Sequence, residues 1–363
     1  MTSHWLSLGL AIVALGQSGS SAMVPSAGPA IPRGAPVIRP AQPVRPPQAP
    51  TYLANRVDEL GKGFNGRVGI AVRSVNEGWS TSWNGNELSP QQSVSKLWVA
   101  ITALDAVDRG RVRLDDQVSM TRSDLTLFHQ PIASKILGGG TTITLGELMF
   151  QALTKSDNTC NDKLMRSVGG PDAVRSMIRS KGLGAIRFYE GERSLQSRIA
   201  GLTWSPSYSI GNAFYEARNA LPMAIRKAAF DRYVEDPYDG ASANAIVDAL
   251  AALKRGELLS PSSTARLLTI MSQTSTGKNR LRGGLKPGWS LSHKTGTGQI
   301  LGSTQAGYND IGILTAPDGR SYSVAVMIKK TSVPLPVRMT LMNNVVRATI
   351  VQHEMRYSPS ITL

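Results

Sequence analysis

The chain predicts a mixed α/β fold in which one sheet is assembled from the two extremities and the middle is helical. Two observations carry that expectation. Residues 67–74 (RVGIAVRS) alternate and are β-branched near one end, while 307–315 and 321–329 (SYSVAVMIK) flank the turn Ala316-Pro317-Asp318-Gly319 near the other. Between them, punctuation by caps, glycines and prolines marks helices, and no internal repeat interrupts the pattern.

Taken in order, residues 5–16 (WLSLGLAIVALG) form an apolar run too short to span a bilayer. The run reads as a signal peptide, although no Lys or Arg precedes it. Ser20 and Ala22 are small residues suited to cleavage before Met23, so 1–22 is expected to be removed and the mature protein to be periplasmic or secreted, without stable membrane insertion. Residues 23–50 are rich in Pro, Ala and Gly with Arg33, Arg39 and Arg45 spaced along them, which suits an extended, solvated linker. The folded domain is then 51–363. Its single cysteine, Cys160, excludes an intramolecular disulfide and reads as a small buried residue. A formal charge of +15 admits nucleic acid or an anionic cell envelope as surroundings. The export signal favours the envelope, and with no zinc-finger spacing or basic helical stripe no nucleic-acid partner is expected.

Residues 52–60 suit a short amphipathic helix, and 79–83 a strand paired with 67–74 across a turn at 76–78. Residues 96–109 are apolar on every face and stop at Gly110, the pattern of a helix buried on all sides. Thr144 and Glu147 have the spacing of a capping box. Gly170-Pro171, Ser242 and Ser260-Pro261 open further helices, and 339–353 closes the chain as a helix.

Several motifs are weak. Gly61, Gly63 and Gly66 spell GxGxxG, but they follow a helix and precede a strand, the reverse of a dinucleotide site. There is no HExxH or GxSxG, so a zinc site or a Ser-His-Asp hydrolase has little support, and no metal or organic cofactor is expected. Ser93-Val-Ser-Lys96 stands apart. Residues three apart share a helical face, which sets a hydroxyl beside an amine at the head of the buried helix. Serine is a poor nucleophile until a neighbouring base takes its proton, and a lysine in an apolar, cationic pocket can do so. The same SxxK spacing at Ser275 and Lys278, in a polar stretch, has a plain surface reading. The motif therefore needs company. Ser156-Asp157-Asn158, beyond a capped helix, and Lys294-Thr295-Gly296, before a Gly-rich strand region, supply it in matching order.

With these three motifs the chain resembles the class A serine β-lactamases, within the β-lactamase and penicillin-binding serine hydrolases. The resemblance runs from about Thr51 to His353. Asp124-Leu125 with Pro131, Thr144 to Leu148, Gly169-Gly170-Pro171, Gly256 to Leu259 and Pro287-Gly288-Trp289 all match family landmarks in family order. It implies a two-lobed fold: an antiparallel sheet of about five strands flanked by helices (about 51–90 and 255–363), beside an all-helical lobe (about 91–254). The active site would lie between the lobes. It further implies a monomeric β-lactamase acting on a small-molecule β-lactam through an acyl-enzyme. Ser93 would be the nucleophile, Lys96 its proton partner, Ser156 the proton shuttle and Lys294 a source of positive potential. Asn158 would bind the substrate's side-chain amide, Thr295, Gly296 and Thr297 would line the carboxylate site, and the N–H groups of Ser93 and Thr297 would form an oxyanion hole. Phe128 sits where the family has an aromatic gate residue. Glu192, in Glu192-Arg-Ser-Leu195-Gln196, matches the water-activating carboxylate, with Glu190 as rival.

The departures from the family pattern are as informative. Gln196 replaces an asparagine that helps hold the water. The arginine usual just before Glu192 is missing, so the loop's internal ion pair must differ. About forty residues (197–241) replace a short return, with helical character over 213–234 broken at Pro222; they could form a lid over the site or a satellite packed on itself. Without the common arginine after KTG, Arg280 is assigned to the substrate carboxylate and Arg282 to a structural ion pair. Alternative readings are a D-Ala-D-Ala peptidase or esterase with the same residues, and a penicillin-binding or sensing protein that acylates without clearing.

Overall fold

The computed structural model describes residues 47–357. The signal peptide and nearly all of the proline-rich linker therefore lie outside the described residues. The four expected strands and two further ones form one sheet: β1 (Arg67–Ser74), β2 (Ser80–Trp83), β3 (Ser290–Thr297), the two-residue β4 (Ile300–Leu301), β5 (Thr304–Thr315) and β6 (Ser321–Thr331), of which β3 and β4 were not expected as strands. The spatial order is β2-β1-β6-β5-β3 with β4 on β5, and every pairing is antiparallel, so the first and last strands of the chain meet at the centre of the sheet.

Alternation along the strands sends side chains to two different cores. Ile70, Val72, Val324, Val326 and Ile328 pack with Leu53 and Val57 of the helix Thr51–Lys62 and with Met342, Val345 and Val346 of the closing helix Leu335–Tyr357. Ala71, Ile311, Ile313, Ala325 and Met327 face the other way, toward Val247 and Leu250 of the helix Ala243–Lys254 and toward the helical half. That half is organised around the helix Lys96–Asp108, whose residues from Lys96 to Leu104 are all buried, as its all-round apolarity required. The closing helix is about a turn longer at its start than its apolar pattern indicated.

One cap differs from expectation. Thr144 Oγ1 accepts from the Glu147 N–H at 3.1 Å, but the Glu147 carboxylate accepts from Gln151 further along instead of reaching back, so only half of the box forms. The helix Leu145–Phe150 then widens into a π-helical turn, Gln151–Lys155, ending at Ser156 in the left-handed conformation with φ of 60°. π-turns of this kind concentrate at functional sites. Among the described residues no helix is long and apolar enough to cross a membrane.

Candidate active site

Ser93 stands in the 3-10 turn Gln92–Ser95 that feeds the central helix, and Lys96 Nζ donates to its Oγ at 2.8 Å. Lys96 also contacts the Glu192 carboxylate directly, and both side chains are buried. Ser93 itself is only half-buried and lines a cavity of about 730 Å³ between the sheet edge and the helical half.

Across the cavity, β3 contributes Lys294, fully buried, whose Nζ donates to Ser156 Oγ at 2.9 Å and to the Thr295 carbonyl at 3.0 Å. Burial, reinforced by the charge of Lys96, pushes the Lys294 ammonium well below the ordinary lysine range. Asp157 fixes the segment between, accepting from Cys160 N at 2.9 Å and Ile132 N at 2.7 Å. Asn158 donates to the Leu127 carbonyl at 2.9 Å, holding down the loop that carries Phe128. Gln92, Phe128 and Ser156 all have positive φ, so three non-glycine residues beside the cavity hold a sparsely populated backbone conformation. The glycine of KTG has a steric cause: a Cβ on Gly296 would lie 2.2 Å from the Gln91 carbonyl, so only glycine lets β3 approach the Ser93 turn. Cys160 is buried, and burial drives its thiol upward, which leaves it inert.

At the carboxylate end, Thr295 and Thr276 share a hydroxyl hydrogen bond at 2.7 Å. Arg280 Nη2 donates to Thr297 Oγ1 at 2.6 Å and Nη1 to the Gly296 and Asn309 carbonyls at 3.0 and 2.7 Å, with the guanidinium 3.8 Å over the Tyr308 ring. Arg282 corrects its expectation: it donates to the Ser272 carbonyl at 3.1 Å, which takes up the guanidinium, and among the described residues no carboxylate comes within ion-pair distance of it.

The loop that carries Glu192 is held without the family's arginine. Gly191, at φ of 93°, leaves room for Asp162, whose Oδ1 accepts from the Glu192 N–H at 2.9 Å; a Cβ there would meet that oxygen at 2.9 Å. Burial first, then the Glu192 charge, raise Asp162 to about 6. At the loop's far end Asp239 accepts from Gln92 N at 2.7 Å and from the Tyr233 hydroxyl at 2.9 Å, and burial raises it to about 7. Gln196 Nε2 donates to Gln92 Oε1 at 3.0 Å and Glu192 Oε2 at 3.2 Å, while Gln299 Nε2 donates to its Oε1 at 3.1 Å. Tyr233 accepts from Gln92 Nε2 at 2.5 Å, so a buried chain of hydrogen bonds runs Tyr233, Gln92, Gln196, Glu192.

The long segment is neither wholly lid nor wholly satellite. Its first helix, Ala213–Ala220, brings Tyr215 and Arg218 to the cavity and sets Phe214 edge-on to Phe128 at 4.9 Å. Its second, Met223–Glu235, packs Phe230, Tyr233 and Val234 on Leu195 and Ile199 behind the Glu192 loop.

Of the residues singled out in the sequence, Ser93, Phe128, Ser156, Asn158, Glu192, Gln196, Arg280, Thr295 and Thr297 line the one cavity. Lys96, Lys294 and Gly296 are buried beneath it. Glu190 is exposed, which leaves Glu192 as the carboxylate in reach of Lys96. Sequence reasoning missed Gln92, Asp162, Tyr233, Asp239 and Gln299. Two adjacent glutamines directly ahead of Ser93 were the only local signal.

A serine, two buried lysines and a buried carboxylate thus converge on one cleft, and comparison with known proteins agrees with that arrangement. The model of the beta-lactamase enzyme family matches residues 52–353. The chain is 25% identical to β-lactamase VEB-1 of Pseudomonas aeruginosa over 82% of its own length and 89% of the relative's. It is 29% identical to β-lactamase CTX-M-8 of Citrobacter amalonaticus over 77% and 82%. Among solved structures it is similar to a β-lactamase from Chitinophaga pinensis (TM-score 0.68, 28% identity, 83% of this chain and 98% of that one). It is also similar to an ancestral class A β-lactamase (TM-score 0.66, 29% identity, 83% and 99%). The chain belongs to the beta-lactamase enzyme family, in its class A serine group, and is a hydrolase.

Proposed function

We propose that the protein opens the β-lactam amide through an acyl-enzyme on Ser93 and clears it with water activated by Glu192. The observation that carries this reading is Lys96, whose one ammonium contacts both Ser93 Oγ and the Glu192 carboxylate. Lys96 passes a proton to Glu192 and takes the proton of Ser93 as Oγ attacks the lactam carbonyl carbon. The developing oxyanion is stabilised by the Ser93 and Thr297 N–H groups. Ser156, bonded to Lys294, protonates the departing nitrogen, and Glu192 returns its proton to the lysine and serine set, so every group regains its starting charge. In the second half Glu192 takes a proton from water, the hydroxide attacks the ester carbonyl, Ser93 leaves with a proton from Lys96, and Glu192 hands its proton to Lys96, which restores the starting charges.

Arg280, held against Thr297, supports a role beside Thr295 and Thr297 in binding the ring carboxylate. Asn158 is suited to the side-chain amide and Phe128 to the wall beside it. The apolar run at 5–16 supports export to the periplasm, with 23–50 as a linker to the folded domain.

Intact-mass spectrometry after mixing with benzylpenicillin tests the mechanism. Glu192→Gln is expected to accumulate a one-to-one adduct, with turnover down about 10²- to 10⁴-fold, while Ser93→Ala forms none. Turnover unchanged in Glu192→Gln would assign water activation elsewhere. A lasting adduct on the wild type would favour the penicillin-binding reading.

A further inference from the structure

Two arginines, Arg280 and Arg218, line the cavity, and only one is accounted for. Arg280 serves the end bounded by Thr295 and Thr297. Arg218, from the helix Ala213–Ala220, lines the same cavity with Tyr215, Phe128 and Gln299. Behind it Arg226, from Met223–Glu235, shares a smaller recess with Arg218, Gln299 and Ile300. Neither arginine has an ion-pair partner among the described residues, and the Nε of each is buried with no acceptor. Other arginines around this loop are satisfied: Arg193 by the Leu125 carbonyl, Arg198 by the Tyr189 hydroxyl, Arg187 by Asp236. Burial and the neighbouring charge of Arg226 both weigh against the charged form of Arg218. Two like charges side by side without a counter-ion repel, and a bound anion relieves both the repulsion and the unpaired donors. The Arg218 guanidinium lies over the Tyr215 ring, 5.3 Å from its centre, within cation–π range.

We propose that Arg218, backed by Arg226, forms an anion subsite for a carboxylate on the acylamino side chain of the substrate, making the enzyme selective for β-lactams that carry a second negative charge. The inference rests on the proposed β-lactam hydrolysis. In that reading the ring carboxylate lies toward Arg280 and the side-chain amide toward Asn158. The acyl substituent then extends past Phe128 and Gln196 toward the inserted helix.

The test is a matched pair of substrates, benzylpenicillin and carbenicillin, which differ by one carboxylate on the side chain. The readout is the ratio of their kcat/KM values, carbenicillin over benzylpenicillin. Arg218→Gln is expected to lower this ratio about tenfold and Arg226→Gln to lower it less, while Arg218→Lys keeps most of it. On the wild-type protein, raising the salt from 0.05 to 0.5 M is expected to lower the ratio severalfold, since screening weakens the extra charge contact. This arm needs no variant to fold. A ratio that stays constant in Arg218→Gln, or is indifferent to salt in the wild type, overturns the subsite. Absence of benzylpenicillin turnover by the wild type instead strikes at the hydrolytic reading itself, so the two failures are told apart.

Discussion

Asp162 shows how a single buried residue ties the Glu192 loop to pH. Its carboxylate accepts from the backbone of Glu192 while lying near that residue's negative charge, and it is raised to about 6 in the folded protein against about 3.9 in an unfolded chain. The folded state therefore holds this proton more tightly, and between about pH 4 and 6 stability falls as the pH rises through the window. Two pKa units at 1.36 kcal/mol each give a penalty on the order of 3 kcal/mol, complete above pH 6. Asp162→Asn keeps an acceptor for the Glu192 N–H and removes the charge. Thermal melts are expected to show the variant several degrees more stable than wild type at pH 8, with the gap closing toward pH 4. An equal difference at both pH values would refute the assignment. The sequence offered no hint of this residue's partner, because Asp162 and Glu192 meet only when a helix and a loop thirty residues apart in sequence pack together.

On the scale of elements, the insertion acts as a buttress. The sequence foresaw two helical stretches broken at Pro222, and they form as Ala213–Ala220 and Met223–Glu235. It could not say which way they fold, since their apolar faces suit either a lid or a self-packed unit. In the structure Tyr233 occupies the position of a loop anchor: its hydroxyl donates to Asp239 and accepts from Gln92, which leads through Gln196 to Glu192. Tyr233→Phe removes one oxygen and leaves two buried polar groups short of a partner, a loss of about 1–3 kcal/mol. On the proposed acyl-enzyme route, deacylation should slow about tenfold while acylation changes less than twofold, as read by burst kinetics against steady-state turnover. Equal slowing of both steps would mean general loosening of the fold. Gln196, which stands where the family has a water-holding asparagine, is hydrogen-bonded to Gln92, Glu192 and Gln299, a role no local motif encodes.

For the molecule as a whole, the sheet makes the two ends of the chain interdependent. β1 pairs directly with β6, and the helices Thr51–Lys62 and Leu335–Tyr357 cover the same face. Leu341, Met342, Val345, Val346 and Ile350 of the closing helix are all buried there. At about 1.5–3 kcal/mol each, their burial is comparable with the whole stability of roughly 5–15 kcal/mol typical of a domain. A chain ending after residue 334 is expected to lack a cooperative thermal transition by circular dichroism; a sharp melt in that truncation would show that the sheet stands without its last helix.

What the sequence determined by itself was the set of motifs and the elements that present them. Ser93 with Lys96, Ser156 to Asn158 and Lys294 to Gly296 are short runs whose spacing is set by local helix and strand geometry, and helix periodicity and strand alternation are likewise local properties. Tertiary structure alone decided which distant groups complete the site. Asp162, Asp239, Tyr233 and Arg218 reach it across long stretches of chain, Gln92 beside Ser93 finds its partners Tyr233 and Gln196 only there, and Arg282 lost its expected ion pair. The physical reason is that burial, electrostatic neighbours and hydrogen-bond partners are properties of packing, and packing brings together residues that no spacing rule connects.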